Sequence, residues 1–174
     1  MQAYTPENDP LMAQAKNLVK TAREVGVGSY QPILDQFPGL EADFAKKRAD
    51  GYWDFIVAIA CVFIAAARLQ TLQLGPERES ALMGQISADL AAWDPVNARP
   101  CFEDCKKTFG RNFEVLTERG LEPQFLTTVS IGLWVAGNIL GRAAATEDEE
   151  LFISRIGAAV TMGFFGWWTV TQPS

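Results

Sequence analysis

An uninterrupted apolar stretch from Phe55 to Ala67 is the feature that most constrains how this chain can fold. The stretch is bounded by Asp54 and Arg68. As a helix, thirteen residues rise about 20 Å, which is short of the roughly 30 Å hydrocarbon core of a bilayer. A helix that is apolar on every side has to be enclosed by other parts of the protein. We therefore expect residues 52–74 to form a buried central helix.

Cap and turn residues divide the chain into about seven helices, and no strand-like alternation of polar and apolar residues interrupts them. Asp9 followed by Pro10 predicts the start of the first helix, because Asp caps a helix and Pro suits its first position. We expect Gly26 and Gly28 to end this helix, and a separate short helix to follow over residues 29–37.

Two further segments, residues 123–142 and 147–169, are apolar on most sides. Thr146 with Glu149 fits a capping box at the start of the second segment. The sequence therefore predicts an all-α, single-domain helical bundle of about seven helices, with two or three largely apolar central helices. The domain is expected to span residues 1–174, with residues 1–8 as an extended N-terminal tail.

The charge balance argues against a nucleic-acid partner. The net charge is −6, and the densest basic run, Lys46-Lys47-Arg48, is flanked by Asp43 and Asp50. Binding to phosphates needs clustered Lys and Arg, which this run does not supply. The N-terminus also lacks a basic segment followed by an apolar one, so we expect no secretory signal.

The chain contains no histidine, which removes the imidazole that Ser-His and Cys-His catalysis requires. Its three cysteines, Cys61, Cys101 and Cys105, do not make a disulfide framework in a chain of this length, so we expect a cytoplasmic protein. Cys101 and Cys105 could bind a soft metal or sense oxidation, but we favour structural cysteines. We assign no catalytic residue, no metal site and no cofactor, and we interpret the acidic run 147–150 as helix capping.

Small residues recur in the last two apolar segments. Gly137 and Gly141 form a G-x-x-x-G motif, and Gly157, Gly163 and Gly166 offer a matching surface. Such glycines let two helix backbones approach closely, either between two copies of the chain or within one. We favour packing within one chain, because these segments are short for a membrane span.

Polar residues embedded in the apolar segments suggest a cavity, because buried polar groups need partners. A small apolar or amphiphilic ligand between the central helices would be lined by Phe63, Trp134, Asn138 and Trp167. The alternative is that the Ser and Thr side chains bond back to their own helices and leave no cavity.

The C-terminal aromatic residues Phe164, Phe165, Trp167 and Trp168 cover all sides of a helix and cannot all face one neighbour. Either this end of the helix is buried on every side, or part of it forms an interface. Both interpretations carry equal weight.

The leading functional hypothesis is a non-catalytic helical module that binds a protein partner, including a second copy of itself as a homodimer. The second is the small-ligand bundle. The third is insertion of the hairpin Phe125–Gly141 with Ile156–Val170 into a membrane, which the low count of basic residues disfavours. The fourth is an enzyme that uses carboxylates or Cys101 without an imidazole.

Overall fold

The computed structural model describes the backbone of residues 4–170 and the side chains of residues 4–163. Within that part of the chain, seven α-helices follow one another and no β-strand occurs, which confirms the all-α prediction. Short 3₁₀ helices at Pro6–Asn8 and Pro38–Leu40 precede the first and second of them. The α-helices are α1 (Pro10–Leu34), α2 (Glu41–Ala49), α3 (Tyr52–Gln70), α4 (Pro76–Trp93), α5 (Ala98–Glu118), α6 (Pro123–Leu140) and α7 (Glu147–Val170).

Helix α3 is the axis of the bundle, as its apolar sequence predicts. Every residue from Ile56 to Ala66 is buried, and α3 packs against all six other α-helices. Helices α1, α4, α5, α6 and α7 surround it as a ring in which each contacts the next. Helix α2 packs against the start of α3 through the rings of Phe44 and Trp53, whose centroids lie 5.0 Å apart. The apolar stretch therefore forms the centre of a single core.

Helix α1 does not end at Gly26 and Gly28, so the separate helix predicted over residues 29–37 is wrong. A Cβ atom on Gly26 would overlap the backbone carbonyl oxygen of Asp54 in α3. Gly26 therefore lets two helix backbones touch in the middle of α1, and it does not terminate the helix. The helix continues to Leu34 and includes Pro32, which has no backbone N–H to donate within the helix.

The predicted start of α1 at Asp9 is confirmed. The Asp9 carboxylate accepts a hydrogen bond from the backbone N–H of Leu11 at 3.0 Å and two from the guanidinium of Arg78 in α4, at 2.8 and 2.7 Å. The Tyr4 hydroxyl also donates to Asp9, at 2.8 Å. Pro6–Asn8 form a 3₁₀ turn where the sequence predicted extended chain, and the backbone N–H groups of Asn8 and Asp9 donate to the carbonyls of Thr5 and Pro6.

Helices α6 and α7 pack within one chain, but not through the G-x-x-x-G motif. A Cβ on Gly132 would overlap the carbonyl oxygen of Ile153, and one on Gly157 would overlap that of Thr128. The motif residues Gly137 and Gly141 have open space around them. The close backbone approach therefore runs through Gly132 and Gly157, one turn away from the motif on α6.

Thr146 caps α7 as the capping box predicts. Its hydroxyl oxygen accepts a hydrogen bond from the backbone N–H of Glu149 at 3.2 Å. The Glu149 carboxylate turns back to accept from the backbone N–H of Ala145 at 2.7 Å and from Arg142 at 2.9 Å. These bonds close the short connection between α6 and α7.

Candidate functional site

The structure brings two of the predicted pocket residues together and places a third elsewhere. The side-chain amide of Asn138 donates a hydrogen bond to the backbone carbonyl of Trp134, at 2.8 Å, on the same helix. The Phe63 ring instead packs against Phe102 and Phe109 of α5, with centroids 6.1 and 4.8 Å away. The side chain of Trp167 lies outside the described residues.

Trp134 and Asn138 belong to a polar network that joins three helices. The Tyr52 hydroxyl in α3 donates to the Asn138 side-chain carbonyl at 3.0 Å, and the Trp134 indole N–H donates to the Asp104 carboxylate of α5 at 2.9 Å. Sequence reasoning identified the two α6 residues and missed Tyr52 and Asp104. Asn138 in an apolar helix signals that some partner exists, but not which one.

A groove opens beside this network, where the start of α3 meets the turn between α4 and α5. We call it the corner groove; its volume is about 600 Å³. It is lined by Asp50, Gly51, Tyr52, Phe55, Asp94, Asn97, Pro100 and Cys101. The two aromatic side chains are half-buried, and two carboxylates accompany them. None of these lining residues, all within the described chain, is basic.

The charge states of the groove follow from its hydrogen bonds. The pKa of Asp94 is lowered chiefly by the backbone N–H of Asn97, at 2.9 Å, and further by the Asn97 side chain and the backbone N–H of Val96. Burial raises the pKa of Tyr52, and the nearby Cys101 and Asp104 raise it further. At neutral pH the groove therefore carries an ionised Asp94 beside a neutral phenol.

Cys101 does not have the properties of a catalytic nucleophile. Burial, with a further contribution from Asp104, raises the pKa of its thiol to about 12. Cys61 and Cys105 are buried, burial raises the pKa of both, and all three cysteines are free thiols. A reactive cysteine needs a lowered pKa, so the protonated thiol is the resident form at all three positions.

A second groove lies between α4 and α5 and has a volume of about 610 Å³. Its lining is mostly apolar and contains one Arg and one Glu, both exposed. The lining residues are Met83, Ile86, Ser87, Leu90, Pro95, Arg99, Pro100, Phe102 and Glu103. We call it the α4–α5 groove. Its volume and composition are typical of small-molecule pockets.

Apolar side chains also reach solvent at the end of the bundle where α5 ends, α6 begins and α7 approaches its last turns. Phe125 is 48% exposed, Met162 73% and Val115 38%. Thr128 and Thr161 face each other at 3.4 Å in the antiparallel pair α6 and α7, so Phe125 and Met162 lie within about one helical turn of the same level. We call these three residues the apolar end. The predicted interaction residues Phe164, Phe165, Trp167 and Trp168 follow directly in α7, but their side chains lie outside the described residues.

Within the described residues, no group of three or more cysteines and carboxylates is placed to hold a metal ion. Comparison with known protein families, with characterised proteins and with solved structures finds no match to this chain. Among the described helices only α3 is long and apolar enough to cross a membrane, and 72% of its apolar window is buried inside the bundle. Helix α6, half of the predicted membrane hairpin, does not meet that criterion.

Proposed function

We propose that the chain is a non-catalytic helical protein that acts by binding, and that it forms a homodimer through the apolar end. The observation that carries the proposal is the exposure of Phe125 and Met162 at one level of the bundle. Exposed apolar patches mark interaction surfaces, and we take these two side chains at one end of the bundle as parts of one patch. A two-fold axis would bury the same surface on both copies.

The charge distribution supports a second copy as the partner. Residues 106–125 contain four basic and three acidic residues, a net charge of +1, so the rest of the chain carries a net charge of −7. Two acidic molecules repel each other least where their surfaces are close to neutral. The part of the apolar end that α5 and the start of α6 supply can therefore meet a copy of itself at a low electrostatic cost.

Sedimentation velocity on the double variant Phe125→Ser/Met162→Gln tests this proposal. At about 100 µM, a homodimer with a micromolar Kd would be nearly fully formed in the parent chain, and the double variant should sediment as a monomer. Leu151→Gln is the matched control, because Leu151 is 49% exposed at the opposite end of α7. The control should remain dimeric. A parent chain that is monomeric at this concentration would contradict the proposal.

The α4–α5 groove favours a second candidate function, the binding of a small apolar or amphiphilic ligand. Its buried side chains Ile86, Leu90 and Phe102 provide an apolar floor, while Arg99 and Glu103 supply polar contacts. This site is distinct from the pocket predicted between the central helices, which stays a prediction. Native mass spectrometry should then show added mass that disappears on denaturation and is absent from Ser87→Leu, which fills the groove. A bare mass in the parent chain, before and after addition of long-chain alcohols, counts against this candidate.

We also propose a cytoplasmic location, which the three free cysteines support. Free thiols persist in reducing compartments, whereas the cysteines of secreted proteins meet an oxidising environment in which disulfides form. Fractionation of cells that express the full chain, with thiol labelling of each fraction, tests the location. Recovery of the protein outside the cytoplasm, or with oxidised cysteines, would overturn it.

A further inference from the structure

We propose that the corner groove binds a small organic cation, an ammonium group carried on an apolar or aromatic body. The inference is independent of self-association, because the groove lies away from the apolar end. It rests on the combination of half-buried aromatic rings and two carboxylates that line one concave surface, where the ammonium group of Lys47 already lies against the Tyr52 ring.

The carboxylates supply the charge that selects a cation. Asp94 is held in place by hydrogen bonds from the backbone N–H groups of Val96 and Asn97, at 3.0 and 2.9 Å, and from the Asn97 side-chain amide, so it is a fixed anion on the lining of the groove. Asp50 follows the last residue of α2 and is exposed. Arg48, the basic residue closest to it in sequence, is engaged by Asp54 at 2.7 Å. Asp50 and Asp94 are the charged side chains among the described residues that line the groove, and both favour a cation over an anion.

The aromatic residues supply the second half of the recognition. Tyr52 already holds one ammonium group, because Lys47 Nζ lies 4.8 Å from the centroid of its ring. Phe55 packs on Trp93 with centroids 5.1 Å apart, which fixes the ring that an apolar body would contact. Ring faces attract cations, and the effect is largest where water is partly excluded. The Cys101 thiol adds a neutral, polarisable wall.

The volume of the groove limits the size of the ligand. About 600 Å³ lies within the range of small-molecule sites and suits a compact arylalkylamine. A macromolecular partner would need a larger and flatter surface. The chemistry on the lining therefore points to a single ammonium group attached to one ring or a short apolar chain.

The test is a titration of the full chain with phenethylammonium, followed by amide chemical shifts in ¹H–¹⁵N NMR spectra, with uncharged 2-phenylethanol as the matched probe. We expect saturable shifts centred on Gly51, Asn97 and Cys101, with a Kd of about a millimolar, as is usual for a ligand of this size. The alcohol should bind at least about tenfold more weakly, because it lacks the charge.

Three variants sharpen the test. Asp50→Asn should weaken binding about three- to tenfold, whereas Lys47→Gln should strengthen it about two- to threefold by removing the competing ammonium group. Asp43→Asn is the control, since Asp43 is an exposed acid of α2 that does not line this groove. Equal binding of the amine and the alcohol, shifts centred elsewhere, or no saturation at about 50 mM, well above a millimolar Kd, would each overturn the proposal.

Discussion

Two pairs of consecutive helices in this bundle pack in opposite ways. In α6 and α7 the backbones touch, because Gly132 and Gly157 face each other and leave no room for a side chain. Between α4 and α5 a groove of about 610 Å³ remains, and large side chains such as Leu90 and Phe102 line it. Small residues therefore allow close packing of helix backbones in this bundle, and large ones hold helices apart and leave grooves between them.

This contrast in packing indicates which parts of the bundle can hold a ligand. A pair of helices in backbone contact has no space for a ligand, whereas a pair held apart by large side chains offers apolar walls to one. Both grooves described above adjoin Pro100 in the first turn of α5. We expect this contrast between the solid and the open regions to hold in solution.

The largest expected effect is a difference in thiol labelling between the two sides of α5. Cys105 faces the core and is buried, whereas Cys101 borders the corner groove and is half-buried. Iodoacetamide at about pH 8 should modify Cys101 slowly, because its pKa is raised to about 12. Cys105 should react at least about a thousandfold more slowly, since it needs the bundle to open.

Peptide mapping by mass spectrometry after timed quenching measures both rates. Cys61, which is also buried in α3, provides the internal reference and should follow Cys105. In denaturant all three cysteines should react alike. Similar native rates at Cys101 and Cys105 would show that α5 is not packed on α3 as described.

The next effect is on stability at the contact between α6 and α7. Gly132→Ala should lower the free energy of unfolding by about 3 kcal/mol or more, because the new Cβ meets the backbone carbonyl of Ile153 and neither helix can move aside without repacking. Gly137→Ala is the control on the same helix. It has open space, so it should change stability by less than about 1 kcal/mol, with the helix propensity of Ala favouring a gain.

Urea denaturation of both variants, followed by far-UV circular dichroism, gives the two free energies. If Gly132→Ala and Gly137→Ala were equally stable, the close backbone contact would not exist in solution.

A smaller effect concerns the connection between the same two helices and depends on pH. The Glu149 side chain is 3% exposed, and Arg142 and the N–H of Ala145 lower its pKa from 4.5 to about 2. A lowered pKa stabilises the fold above about pH 4.5, and this stabilisation is lost as the pH falls towards 2. Glu149→Gln should therefore be less stable than the parent chain at neutral pH, and the difference should shrink on acidification.

Urea midpoints of the parent chain and of Glu149→Gln at several values between about pH 7 and pH 3 check this prediction. Glu147→Gln, at the first position of α7, is the control and should follow the parent chain more closely. Midpoints that stay a constant distance apart across this range would mean that Glu149 does not titrate as described.

The smallest expected effect is at the open pair of helices. Ser87→Leu directs an apolar side chain into the α4–α5 groove and should leave the free energy of unfolding unchanged or raise it by up to about 1 kcal/mol. Urea denaturation against the parent chain measures the change. A loss above about 2 kcal/mol, the range of overpacked cores, would indicate that α4 and α5 pack as tightly as α6 and α7.

Features that depend on neighbouring residues could be predicted from the sequence. The cap at Asp9 and the capping box at Thr146 and Glu149 involve groups within four residues of each other, and the structure confirms both starts. The apolar stretch from Phe55 to Ala67 predicts its own burial, because a helix on the surface would expose apolar side chains on one side to water. The all-α class and the central position of α3 follow from these local patterns alone.

The tertiary structure decided the rest, because the remaining features depend on groups far apart in the chain. Gly26 resembles a helix stop, yet it lies inside α1 because the carbonyl of Asp54 is against it. The close contact uses Gly132 and not Gly137, since only Gly132 faces α7. The sequence alone does not show whether a glycine ends a helix, allows close contact with a neighbouring helix or faces solvent. The distances between backbones separate these roles, and these distances are set by the packing of the whole bundle.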